Sequence, residues 1–106
     1  MTSRIPAVAV ILLAAFITAP ANSQAPGADI YKAKCAVCHG ADGQANTPLA
    51  RIVRTLPFKA PALLKASDAQ LFDSTKNGKD TMKGYGGKLS DAQIKDLVHY
   101  MRILQK

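Results

Sequence analysis

The chain is 106 residues long, 48% hydrophobic and 20% charged, with a formal net charge of +7, two cysteines, no tryptophan and only 6% aromatic residues. Such a length bounds it to one domain, too small to bury a large apolar core unaided and in need of a disulfide, a metal or another staple. The basic residues are dispersed along the chain, which argues against nucleic acid as a partner.

Residues 1–23 carry one positive charge, Arg4, then an unbroken apolar run from Ala7 to Ile17, then small residues through Ala19-Pro20-Ala21-Asn22-Ser23. This is the three-part layout of a secretory signal peptide, with cleavage after Ser23 or, nearly as well, after Ala21. The apolar run is shorter than the roughly 18–20 residues of a spanning helix, so a retained anchor is disfavoured. Cleavage removes Arg4 and no acid, leaving residues 24–106 as a domain of 83 residues with a charge of +6. The expected location is outside the cytoplasm, in the periplasm, with no stable membrane insertion once the signal is gone.

A helix is predicted from about Gly27 through Ala28-Asp29-Ile30-Tyr31-Lys32-Ala33-Lys34 into the cysteine motif that follows, with Asp29 in its first turn and lysines towards its C-terminal half. Gly27 and Tyr31 are four apart and share a face; the glycine either marks the close approach of another backbone or lies just outside the helix. Next comes Cys35-Ala36-Val37-Cys38-His39, which holds both cysteines and one of the two histidines. Thiols three positions apart on one helical turn can form thioethers to the two vinyl groups of one porphyrin. His39 is then held beneath the iron, and C-x-x-C-H is the spacing of c-type haem attachment. A redox-active disulfide would call for a βαβ pattern, and no convincing strand is predicted anywhere. A zinc site would need two more ligands, for which only His99 and scattered aspartates are on offer. The haem reading uses His39 directly and neither rival does. One motif means one haem, a large apolar plate on which a small aromatic-poor chain can condense.

Gly40-Ala41-Asp42-Gly43 is turn chemistry, and Thr47-Pro48 is an N-cap followed by proline at the first helical position. Leu49, Ile52, Val53 and Leu56 then form the apolar face of a short helix, with Arg51 and Arg54 on the other face. Pro57 and Pro61 are expected to end it and to impose an irregular apolar run, Leu56 to Leu64, which either wraps a porphyrin edge or packs as an ordinary loop. Ser67-Asp68-Ala69-Gln70 and Ser90-Asp91-Ala92-Gln93 are the same four residues and both read as capping boxes. The first opens a helix with Leu71 and Phe72 inward, closed at Asn77-Gly78. The second opens the clearest helix of the chain, with Ile94, Leu97, Val98, Met101 and Leu104 as its apolar stripe.

The second axial position on the iron decides what the haem can do, and four side chains compete for it. Met1 leaves with the signal. His99 shares the polar face of the last helix with Lys95, Arg102 and Lys106, and Met101 lies in the apolar stripe as core filler. Met82 sits in a non-periodic segment, Lys79 to Leu89, among Gly84, Gly86 and Gly87, where a loop can approach a flat cofactor closely; otherwise it is an exposed loop methionine. Thioether ligation opposite histidine favours reduced iron and raises its potential.

The pattern Gly27-x-x-x-Tyr31, Cys35-x-x-Cys38-His39-Gly40, Pro48-Leu49, the Met82 loop, and Leu97 with Tyr100 in the last helix resembles the small monohaem class I c-type cytochromes, over nearly all of Gly27 to Leu104. The resemblance implies an all-α class I cytochrome c fold, with three to four short helices around one haem c bound through Cys35 and Cys38. It implies iron ligation by His39 and Met82, and crossing first and last helices with Gly27 and Tyr31 against Leu97 and Tyr100. It also implies that the Pro48 carbonyl accepts from His39 Nδ1–H. One departure is Lys83, where the family often has proline directly after the axial methionine.

With both axial positions filled, the expected function is that of a soluble extracytoplasmic one-electron carrier and not an enzyme. Lys76, Lys79, Lys83 and Lys88 gather around the Met82 loop, where they would steer a monomer to acidic docking patches on redox partners or would serve solubility alone. The alternatives are a ligand-binding haem sensor or weak peroxidase, if Met82 does not hold the iron, and a membrane-tethered subunit of a larger oxidoreductase.

Overall fold

The computed structural model describes residues 25–106 and, before them, only the isolated positions 2, 3, 6, 7, 9 and 11. The predicted signal peptide, residues 1–23, and Met1 therefore lie outside the described residues, apart from those isolated positions. The chain forms helices α1 (Ala28–Lys34), α2 (Ala36–His39), α3 (Pro48–Val53), α4 (Pro61–Lys65) and α5 (Asp68–Asn77). A minimal hairpin follows, β1 (Gly78–Lys79) with β2 (Met82–Lys83), and then helix α6 (Asp91–Leu104).

The frame is the crossing of α1 on α6. Gly27 stands just outside α1 with φ +86°, and a Cβ there would lie 2.7 Å from the Asp96 carbonyl oxygen and 3.0 Å from Leu97 N. Both readings of this glycine hold together: it is outside the helix, and a second backbone presses on it. One turn on, the Tyr31 ring lies 5.1 Å from that of Tyr100 on α6. Tyr31, Ile94 and Leu97 are fully buried, with Met101, Phe58 and Leu89 in the same core. The stripe predicted for α6 faces inward at Ile94, Leu97, Val98 and Met101.

Both capping boxes form. Gln70 N–H donates to Ser67 Oγ and Ser67 N–H to Gln70 Oε1, at 3.1 and 2.8 Å. The equivalent pair at Ser90 and Gln93 spans 3.2 and 2.9 Å. Each box satisfies two backbone donors that a helix start leaves without partners.

Four local expectations are corrected. The first helix does not run on through the cysteines: it stops at Lys34, and Cys35 is a joint with φ −110° before the single turn α2. Pro61 does not close a helix but opens α4 from its first position, where the absent N–H is no loss. The apolar face assigned to α3 does not act as one surface: Val53 and Leu56 line a cleft, while Ile52 points away from it. Ala50 is 3% exposed and is the buried residue of α3, whereas Ile52 is 77% exposed; α3 packs on α2. A short antiparallel hairpin also stands where no strand was expected, with Gly78 opposite Lys83 and Lys79 opposite Met82.

Candidate haem site

The cysteine motif is held by bonds that its own sequence supplies. His39 N–H donates to the Cys35 carbonyl at 2.9 Å and Ala45 N–H to the His39 carbonyl at 2.8 Å. The Tyr31 hydroxyl donates to the Gly40 carbonyl, and Thr47 Oγ1 donates to the Cys38 carbonyl at 3.0 Å while accepting from Ala50 N–H at 3.1 Å. Thr47 thus caps α3 and ties it to the motif with one side chain. The two cysteines are not bonded to each other. Before haem attachment, burial pushes the Cys35 thiol up to about 11, with Lys34 opposing the effect and Cys38 adding to it.

His39 is stacked on Phe58, with ring centroids 4.7 Å apart and planes 25° from parallel. Burial holds its pKa below the usual imidazole range, favouring the neutral form that a metal ligand needs. Phe58 was not singled out in sequence. It is placed by Gly43, whose carbonyl accepts from Phe58 N–H at 2.9 Å and whose missing Cβ would lie 2.5 Å from Phe58 Cδ2.

Cys35, Cys38 and His39 line one side of a cleft of about 1170 Å³, and Met82 and Thr81 line it from the hairpin. Leu71 and Thr75 of α5, and Val53 and Leu56 at the end of α3, complete its walls. Met101 reaches the same cleft from α6 while belonging to the buried core, and His99 is exposed on the far face of that helix. The volume is above the roughly 300–1,000 Å³ of a pocket for a drug-sized ligand and leaves room for a porphyrin.

Nδ1 of His39 is buried and bonded to nothing. The contact expected between this nitrogen and the Pro48 carbonyl is not made; the start of α3 is anchored through Thr47 and the Cys38 carbonyl instead. An orphaned buried imidazole nitrogen is costly; since Nδ1 is the nitrogen expected to bond a carbonyl, an iron in the cleft would be held by the other ring nitrogen, Nε2. Apolar walls, two cysteines on one side and a neutral imidazole between them and the cleft fit a covalently attached haem. Among the described residues no cluster of three or more His, Cys, Asp or Glu side chains is placed to hold a bare metal ion.

The cleft's outer wall, Phe58 to Ala66, is fastened to the end of α6 by Arg102, which the sequence reading left on a polar face, and by the C-cap Gln105. Arg102 donates to the carbonyls of Leu63 and Ala66 and to Asp68 Oδ1, the last at 2.8 Å. Gln105 donates to the Phe58 carbonyl at 2.9 Å. Of the lysines around the hairpin, Lys79 and Lys83 are exposed beside the cleft. Lys88 is exposed further along, and Lys76 turns away to an ion pair with Asp91 at 3.0 Å.

A helical shell closed around one apolar cleft, with a C-x-x-C-H turn at its lip, defines a class: proteins that carry a covalent haem. The sequence profile of the family described as "Cytochrome C oxidase, cbb3-type, subunit III" matches residues 22–101. The chain is 30% identical to a cytochrome c6 of a Synechococcus species over 90% of its own length and 84% of that protein. It is 35% identical to the cytochrome c6 of Bumilleriopsis filiformis over 71% and 84%. Among solved structures, the KustC0563 c-type cytochrome superposes with a TM-score of 0.69 at 28% identity, covering 76% of this chain and 98% of that one. The chain belongs to the small monohaem class I c-type cytochromes, with a covalently bound haem c, and is an electron-transfer protein.

Proposed function

We propose that the protein is a soluble one-electron carrier of an extracytoplasmic compartment, in which His39 and Met82 hold the haem iron from its two sides. The observation that carries this reading is that His39 and Met82 line one cleft from separate elements, α2 and the hairpin. The bound haem supplies a reversible one-electron change. Cys35 and Cys38 retain it, Phe58 backs the His39 ring, and the walls from Val53 to Ala66 and Leu71 to Thr75 exclude water. A methionine on the iron closes it to substrates and favours the reduced state. Lys79 and Lys83, exposed beside the cleft, would then face an acidic patch on the partner, so that association is fast and weakens with salt. The chain acts as a monomer, exported by residues 1–23, which are removed to leave residues 24–106. Among the described residues no helix is long and apolar enough to cross a membrane.

The test is a redox-titrated absorption spectrum of the mature holoprotein that includes the near-infrared sulfur–iron band. The band, one midpoint potential and a ferrous protein slow to bind carbon monoxide are expected. Absence of the band with prompt carbon monoxide binding would overturn Met82 ligation and favour the ligand-binding alternative. A second reading, a tethered subunit of an oxidoreductase, is favoured by the oxidase-subunit description of the matching family. An intact mass of the exported protein that still includes residues 1–23 would establish it in place of the soluble shuttle.

A further inference from the structure

We propose that Thr81 is a positioning residue, a latch that holds the Met82 hairpin across the mouth of the cleft. The argument starts at the end of α3. That helix stops where Arg54 takes up a left-handed conformation, φ +58°, and both Arg54 N–H and Thr55 N–H turn back to the Ala50 carbonyl. The last carbonyls of a helix have no partner within it, so the Val53 carbonyl is left at the lip of the cleft. Thr81 Oγ1 donates to it at 2.9 Å, from 28 residues further along the chain.

The hairpin is otherwise fastened only near its base. Tyr85 N–H donates to the Thr75 carbonyl and Gly86 N–H to the Lys76 carbonyl, both at 2.9 Å, which ties the segment after the hairpin to α5. The Tyr85 hydroxyl reaches the Lys34 carbonyl at 3.3 Å, again beyond Met82. The tip is a two-residue loop, Asp80-Thr81, between Lys79 and its partner Met82, with Asp80 at φ +51°. Two paired residues per strand are too few to hold a hairpin by themselves. Among the described residues, the Thr81 bond is the only hydrogen bond from this tip to the opposite wall.

Thr81 is the neighbour of Met82, so an outward swing of the tip carries the thioether with it. The inference rests on Met82 being an iron ligand. Under that reading an external ligand gains the iron only when Met82 withdraws, and the latch sets how often it does. Loss of one exposed hydrogen bond changes such an opening equilibrium by about two- to tenfold.

The experiment compares native holoprotein with Thr81→Val, which keeps the shape and loses the donor, and Thr81→Ser, which keeps the donor. Stopped-flow binding of imidazole to the ferric protein is followed together with the near-infrared sulfur–iron band. Thr81→Val is expected to take up imidazole about two- to tenfold faster with its band still present at rest, and Thr81→Ser to stay near native. A native rate in Thr81→Val, with the band intact, would overturn the latch and leave Met82 ligation standing. Equal acceleration in both variants would also overturn it, since the hydroxyl is then not responsible. A native protein without the band would overturn Met82 ligation first and the latch with it.

Discussion

Replacing Gly27 by alanine probes the contact on which the fold is framed. The residue has φ +86°, and a left-handed conformation costs a residue with a Cβ roughly 1–2 kcal/mol. The new methyl would lie 2.7 Å from the Asp96 carbonyl oxygen and 2.8 Å from its carbon. Those are backbone atoms of α6 and cannot turn aside as a side chain would. Forcing such an approach typically costs a further 1–3 kcal/mol or so, while the stiffer unfolded chain returns about 0.4–1 kcal/mol. The net expectation is a loss of about 2–4 kcal/mol, a large part of what a small domain possesses. For a domain of this size that lowers the melting temperature by roughly 10–30 °C. The assay is thermal and denaturant unfolding of the holoprotein by circular dichroism, with Gly87→Ala alongside, where nothing lies within 4 Å of the added methyl. That control should stay within about 0.5 kcal/mol of native. A Gly27→Ala protein as stable as the control would refute the claim that α1 and α6 are held at a distance only glycine permits.

Cys38→Ala is expected to leave a haem held by one thioether and released under denaturing conditions in larger measure than from native protein, as a pyridine haemochrome assay with mass spectrometry would read. Met82→Ala should lower the reduction potential and let ferrous protein bind carbon monoxide promptly. Met101→Ala, in the buried core, should instead cost about 2–5 kcal/mol of stability and leave the potential nearer native; exchanged behaviours would refute the ligand assignment. Paired charge reversal, Lys79→Glu with Lys83→Glu, should slow reduction by an acidic partner at low salt and lose its effect at high salt. Unchanged stopped-flow rates would assign those lysines to solubility.

The features legible in sequence are those whose physics is local. Ser67 with Gln70 and Ser90 with Gln93 had their helix starts written into four residues each, and the bonds form as the chemistry demands. Thr47-Pro48 marked the start of α3 for the same reason. The stripe Ile94, Leu97, Val98 and Met101 was legible because a period of 3.6 residues lines one face of a long helix. The cysteine motif was legible because two thioethers to one haem permit almost no other spacing. Even the approach at Gly27 was readable, since glycine four residues before a buried aromatic has few other uses.

What escaped depends on residues distant in sequence, and α3 shows why. Periodicity told that Leu49, Ile52 and Leu56 share a face, but not what lies opposite that face. The tie between Thr47 and the Cys38 carbonyl turns α3 so that Ala50 packs inward and Ile52 outward. Phe58 became visible only once Gly43 had brought its loop under His39, and Arg102 only once α6 had met the Leu63 and Ala66 carbonyls. Thr81 belongs with these, because its partner is a carbonyl, which every residue carries and no composition records. For Thr81 and Arg102 the decisive group is a backbone carbonyl freed where a helix ends, α3 at the left-handed Arg54 and α4 at Ala66. The sequence of a haem protein therefore shows its attachment chemistry plainly. The walls that exclude water from the iron depend on where irregular backbone leaves its carbonyls, which only the folded chain reveals.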